Sequence, residues 1–244
     1  MTSYPFTYHQ EIGHQGQSLV PHYPGGRSGV TIGPGYDMGQ RSPQEIYNDL
    51  TSAGIDAETA YSLIDAAHKT GTDAGSWIAQ RGGIIITEEQ QRALFENVLV
   101  PQYEERTKTQ LNEFLNTYDG VSDEISWDTL SAKQREILFD YVYNTGSLTR
   151  FPELITAVLH EDWAEASLHY ERFSDDQPLA YRNEMFFREF LDPDYTRNEV
   201  EAPSVMNDTS EVTENFFAEG LNDLYRDDAD TSPSNDTDDW YENS

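Results

Sequence analysis

"GGRSGVTIGPGYDMG", residues 25–39, is the stretch on which the fold reading turns. Six of its fifteen positions are glycine, and its only carboxylate is Asp37. The chain carries 45 Asp and Glu in 244 residues, yet residues 1–44 hold only Glu11 and Asp37, where an even spread would place about eight. Gly25-Gly26 suits a tight turn that needs positive φ. Val30-Thr31-Ile32 has the β-branched composition of a strand. Two isolated carboxylates in a glycine-rich lobe suggest acid–base work in a cleft, one acid protonating a leaving oxygen while a second polar group manages water. By composition alone, two ordinary surface acids are the competing reading.

Downstream of residue 41 the pattern turns helical. Ser42-Pro43-Gln44-Glu45, Thr87-Glu88-Glu89-Gln90 and Ser131-Ala132-Lys133-Gln134 each read as a capping box. Asp56 is placed to cap a helix running to about Lys69, with Gly71 as its stop. The helix after Thr87 is expected to reach Tyr118, with Pro101 kinking or breaking it. In the helix after Ser131, Ile137, Leu138, Tyr141 and Val142 make a core-facing stripe that stops at Gly146. Further helices are expected over Phe151–Leu159, Asp162–Phe173 and Leu179–Leu191.

The net charge is −30, with only three lysines, Lys69, Lys108 and Lys133. So few cations argue against nucleic acid as a ligand. A surface adapted to high salt, a docking face for a basic partner and an ordinary acidic surface all fit this charge. No run of 18 apolar residues occurs, so no stable membrane insertion is expected. The N-terminus lacks the basic and apolar regions of a signal peptide. The chain has no Cys, and His9, His14 and His22 have spacings that put no pair on one helical face, so neither a metal nor another cofactor is expected. Residues 199–244 hold fourteen acids and one arginine, which reads as a largely disordered acidic tail after residue 192. Phe216, Phe217, Leu221, Leu224 and Tyr225 allow one amphipathic helix within it.

The order Glu11, glycine-rich hairpin, "GVTIGPGYDMG", capped helices resembles the phage-type lysozyme (muramidase) superfamily, and within it the pesticin-like branch of bacterial toxins and effectors. That branch has a Glu, a Thr about twenty residues on, and an Asp six residues after the Thr, matching Glu11, Thr31 and Asp37. A second piece, "QREILFDYVYNTGSLTRFPELITAVLHEDWAEASLHYERF", resembles the family's second lobe, and "LAYRNEMFFREFL" its closing arginine-bearing helix. The resemblance covers roughly residues 5–192. One departure stands out. In the phage enzymes the aspartate precedes the threonine by six residues, and here that slot is Gly25.

The resemblance implies an α+β, mainly α, lysozyme-like fold over residues 1–192. A small N-terminal β-hairpin lobe would face a larger helical lobe, and the acidic tail 193–244 would lie outside it. It implies a peptidoglycan hydrolase cleaving the β-1,4 bond between N-acetylmuramic acid and N-acetylglucosamine without a cofactor, as an antibacterial effector or endolysin. Glu11 is then the general acid, held protonated by partial burial among apolar groups. Thr31 holds water or the acetamido sugar, against a plain strand role. Asp37 orients water or stabilises positive charge, against an Asx-turn role before Gly39. Gly33 and Gly35 let sugar approach the backbone or serve only a bulge. Tyr36, like Tyr8, stacks on sugar or packs in the core. Asn144 lines the cleft or caps its helix, and Arg182 pairs with Glu11 or is solvated.

Direct activation of water implies inversion and a carboxyl separation of about 6.5–9.5 Å. The expected partners are peptidoglycan glycan strands and an immunity protein, basic to suit the acidic surface. With no signal peptide, action on the wall of a target cell calls for non-classical export, secretion-system delivery or phage-type release. Two other readings remain open: a catalytically silent module of the same fold that binds peptidoglycan or a protein, and a chitin-type hydrolase.

Overall fold

The computed structural model describes residues 2–12, 17–118, 124–174 and 177–194, all within a compact unit spanning 1–204. The expected tail helix over Phe216–Tyr225 lies outside the described residues, as does His14. The described chain is mainly helical with two short antiparallel strand pairs.

Helix α1 (Pro5–Glu11) opens on Pro5, whose missing N–H costs nothing at a helix start. The first pair follows, β1 (Thr31–Ile32) with β2 (Tyr36–Asp37), in the register Thr31↔Asp37 and Ile32↔Tyr36. Gly33 (φ 62°) and Gly35 (φ 93°) turn the chain between them, a left-handed backbone that glycine adopts without a Cβ penalty. Gly25-Gly26 also have positive φ and close the turn that lets His22 bridge back to Thr31.

All three sequence-read capping boxes form. They open α2 (Pro43–Ser52), α5 (Glu88–Leu94) and α7 (Ala132–Thr145), with side-chain and backbone bonds reciprocated at Ser42, Thr87 and Ser131. Gly146 ends α7 in the left-handed conformation (φ 77°), the usual glycine stop.

Three expectations change. Asp56 caps α3 (Ala57–Leu63), but the helix tightens into a 3-10 turn at Ile64–Ala66. Gly71 does not stop it; Gly71 begins α4 (Gly71–Gln80), a helix that glycines at 71 and 75 disfavour and that the buried Ala74 and Trp77 hold in place. The division expected at Pro101 falls just before it. A π-turn at Phe95–Leu99 precedes it, and α6 (Val100–Thr117) restarts with Pro101 in its first turn, where no N–H is required. The helix expected over Asp162–Phe173 is shorter. It runs as α9 (Trp163–His169) after α8 (Pro152–Leu159), and the chain then extends into β3 (Phe173–Ser174), paired with β4 (Gln177–Pro178). Helix α10 (Ala180–Phe186) continues through a π-turn at Phe187–Leu191.

Two hydrophobic clusters result. One gathers Val30, Ile32, Met38, Leu50, Leu63, Leu94 and Phe95; the other gathers Phe114, Ile137, Leu138, Tyr141, Ile155 and Phe186. Each fully buried side chain of this size contributes roughly 1.5–3 kcal/mol. Helices α1 and α7 serve both clusters: Tyr4 and Phe139 stack at 3.7 Å on one side, while Phe6 and Tyr141 belong to the other. Their polar residues therefore lie at the junction.

Candidate functional site

Glu11 is the last residue of α1, and its carboxyl is 22% exposed. Arg182, in the first turn of α10, donates from Nη1 to Glu11 Oε1 at 2.7 Å across 171 residues of sequence. Its Nη2 donates to Asp140 Oδ1 at 2.6 Å. Thr7 Oγ1 donates to the same Asp140 oxygen at 3.0 Å. Arg172 lies 2.7 Å from the other oxygen, Oδ2, and its guanidinium sits over the Tyr141 ring at 3.8 Å. Asp140 is fully buried. Burial alone would push its carboxyl up, but Arg172 and Arg182 outweigh that and hold it below the ordinary carboxylate range. Burial lowers Arg182, and Asp140 with Glu11 more than reverse this, so it stays charged.

Glu11 is therefore lodged against a guanidinium. This is the Arg182 pairing that the resemblance implied, and the Glu11 side chain is partly buried.

The glycine-rich hairpin is built around Asp37. Its two carboxylate oxygens accept from Gly29 N, each at 3.1 Å, and Oδ1 also accepts from Gly39 N at 2.6 Å. A Cβ on Gly29 would fall 2.3 Å from Asp37 Oδ1, and one on Gly39 would fall 2.9 Å from the Gly29 Cα. Gly29 and Gly39 are glycine because the two backbones close on this carboxylate. Three N–H contacts occupy most of its roughly four acceptor positions. The Asx-turn role of Asp37 before Gly39 is thus present in the structure.

Thr31 pairs directly with Asp37 across the strands, so both side chains share one face. Thr31 is buried, and its hydroxyl donates to Gly29 O at 3.2 Å. Gly33 faces Leu94, whose Cδ2 lies 3.0 Å from where a Cβ would be, and Gly35 faces the Tyr143 hydroxyl at 3.3 Å. Tyr143 in turn donates to the Pro34 carbonyl, tying α7 to the hairpin turn.

Tyr36 takes the core-packing alternative and not the sugar-stacking one. It is fully buried, its hydroxyl donates to Asp49 at 2.8 Å, and Arg41 covers its ring at 4.2 Å, so no ring face is open to a sugar. Tyr8 is likewise buried. Asn144, in the last turn of α7, has a buried Oδ1 that makes no hydrogen bond among the described residues.

Sequence reasoning missed four side chains here. Asp140 was legible as a charge inside the apolar run Ile137–Val142, since a carboxylate buried there needs a partner. Arg172 carried no signal beyond its aromatic neighbours. Tyr103 and Tyr143 pack ring to ring at 4.2 Å. Burial raises the Tyr103 phenol, Glu11 and Asp37 both raise it further, and Arg106 and Arg41 oppose. Tyr103 therefore stands within the electrostatic reach of both carboxylates that the sequence singled out.

Two surface concavities lie elsewhere. One of about 560 Å³ is lined by Tyr118, Pro152, Thr156 and Asp162, among others. One of about 230 Å³ lies beside Trp77 and Arg81. Neither is lined by Glu11, Thr31 or Asp37, and the hydrogen-bonded arrangement of those residues is the better guide to chemistry than the size of a hollow. Among the described residues no group of three or more His, Asp or Glu side chains converges as a metal site, and no helix is long and apolar enough to cross a membrane.

A family model described as "Domain of unknown function (DUF8812)" matches residues 5–169, more than half the chain, and the chain belongs to that family. Glu11, Thr31, Asp37, Asp140 and Asn144 fall inside the matched segment, whereas Arg172 and Arg182 follow it. No curated protein matches the sequence.

Proposed function

We propose that this DUF8812 member is a muramidase, a peptidoglycan hydrolase of the lysozyme-like, two-lobed type, with the hairpin of β1 and β2 facing the helical part across the substrate groove. The observation that carries the reading is the Glu11–Arg182 ion pair: two residues singled out from motifs at opposite ends of the domain meet at 2.7 Å. Arg182 fixes the direction of the Glu11 carboxyl. Glu11 protonates the glycosidic oxygen between the two sugars, the C–O bond breaks with its electron pair going to the leaving alcohol, and water attacks the sugar carbon from the opposite face, passing its proton to the Asp37 carboxylate. Thr31 and the remaining acceptor position of Asp37 hold the water. The product is inverted, and the polymer is bacterial wall material reached after delivery by phage-type release or a secretion machine.

One observation favours a second reading, a catalytically silent module on the same scaffold that binds peptidoglycan or a protein partner. The Asp37 carboxylate is already clamped by Gly29 and Gly39, and the Thr31 hydroxyl is turned to Gly29 O. Release of reducing muropeptides from purified peptidoglycan decides between them. The muramidase reading expects release by the wild type and its loss in Glu11→Gln. Binding of the polymer by folded wild type without release at any salt concentration establishes the silent module instead.

A further inference from the structure

We propose that Asp140 and Arg172 are positioning residues that set the charge balance at Glu11 by acting through Arg182. Glu11, Arg182, Asp140 and Arg172 form a row of alternating charges with successive contacts of 2.7, 2.6 and 2.7 Å. Arg182 is shared, so Glu11 and Asp140 compete for one guanidinium. Arg172 tempers that competition by meeting the far oxygen of Asp140. Its side chain is 1% exposed, and although its distance to Oδ2 is short, none of its nitrogens is aligned for a hydrogen bond to it. Its contribution is therefore Coulombic, in a setting where solvent screens little.

Stability alone gives little reason for this row. A buried ion pair costs several kcal/mol per ion to desolvate, and apolar residues of the same volume commonly serve as well or better. Orientation of the one partly exposed member, Glu11, gives a reason. Arg182 from α10 touches it and carries Asp140 of α7 behind it. Tyr143 from α7 and Tyr103 from α6 interact with it electrostatically, and Arg106, Arg41 and Asp37 act on Tyr103 in turn. Removing the Asp140 charge takes away a like charge and leaves Arg182 to Glu11 alone, favouring the Glu11 carboxylate. Removing the Arg172 charge strengthens the pull of Asp140 on Arg182 and disfavours it.

The catalytic meaning of this control rests on the muramidase reading; the titration of Glu11 does not. The test is the midpoint of the Glu11 side-chain carboxyl carbon resonance by NMR, assigned with Glu11→Gln, in the full-length protein. Arg172→Met is expected to raise the midpoint and Asp140→Asn to lower it, each by about one pH unit, a tenfold change in the ionisation constant. Asp140→Asn leaves Arg172 buried without its counter-charge, so the double variant Asp140→Asn/Arg172→Met, which removes both charges together, is measured beside it and is expected to lower the midpoint. Folded variants that keep the wild-type midpoint, or a double variant that moves upward, overturn the proposal. Muropeptide release by the same samples reports separately on the muramidase reading: opposite midpoint shifts in a protein that cleaves nothing would keep the network and remove the activity.

Discussion

Glu11 and Arg182 are joined Oε1 to Nη1 at 2.7 Å, the last residue of the first helix held by the first turn of the last one. Because Arg182 also holds Asp140, its replacement affects both folding and function. On the muramidase reading, Arg182→Met is expected to lower kcat/KM for peptidoglycan by about 100-fold, the scale of a misplaced catalytic group. Arg182→Lys should recover only part of this, since an ammonium cannot reproduce the fork that spans two carboxylates. Steady-state kinetics on both variants checks this; equal activity in Lys, Met and wild type would remove Arg182 from the site.

The clamp on Asp37 makes a stability prediction independent of enzymology. Gly29→Ala puts a methyl 2.3 Å from Asp37 Oδ1 and must displace the carboxylate or the strand. The expected loss is about 2 kcal/mol or more, from overpacking and unpaired N–H groups. Urea unfolding measures it. A variant as stable as wild type would mean that the hairpin does not close on Asp37.

Acid sensitivity follows from Asp140. Its carboxyl is held below the ordinary range in the folded protein by Arg172 and Arg182 against the opposing effect of burial, whereas in the unfolded chain it titrates near 3.9. The unfolded state then binds more protons in this window, so the contribution is fully present above about pH 5 and drains away as the pH falls through the folded value. Unfolding free energies between about pH 2 and 7 should fall on the acid side, and the fall should be shallower in Asp140→Asn/Arg172→Met. Identical slopes in the two proteins would assign acid unfolding to other carboxylates.

Glu161 is a non-glycine residue with φ 57°, just past the end of α8. A left-handed conformation costs a residue bearing a Cβ roughly 1 kcal/mol. Glu161→Gly is therefore expected to raise Tm by about 1 °C, after allowing for the greater freedom glycine gives the unfolded chain. Calorimetry checks it; a lowered Tm would show that the contacts of the Glu161 side chain outweigh the strain.

With a formal charge of −30, the chain repels itself at low salt. Sodium chloride shortens the screening length to about 3 Å at 1 M, so Tm, and on the muramidase reading wall lysis too, is expected to rise towards molar salt. A Tm that declines steadily over that range would exclude a salt-adapted surface.

What the sequence determined by itself is local. The boxes at Ser42, Thr87 and Ser131, the glycine stop at Gly146 and the buried stripe of α7 all follow from contacts three or four residues apart, which a sequence displays directly. The contact between Glu11 and Arg182 was anticipated too, as one of the alternatives that the family resemblance implied. Tertiary structure decided the rest. Pro101 was absorbed by a π-turn, and glycine-bearing α4 formed because Trp77 and Ala74 found a core. Tyr36 was taken into the interior, and Gly29 and Gly39 proved to close on the Asp37 carboxylate. Most of all, packing placed Asp140 and Arg172 behind Arg182. A buried charge is defined by its partners, and these partners lie 32 and 42 residues from Asp140, a distance at which no sequence pattern connects them.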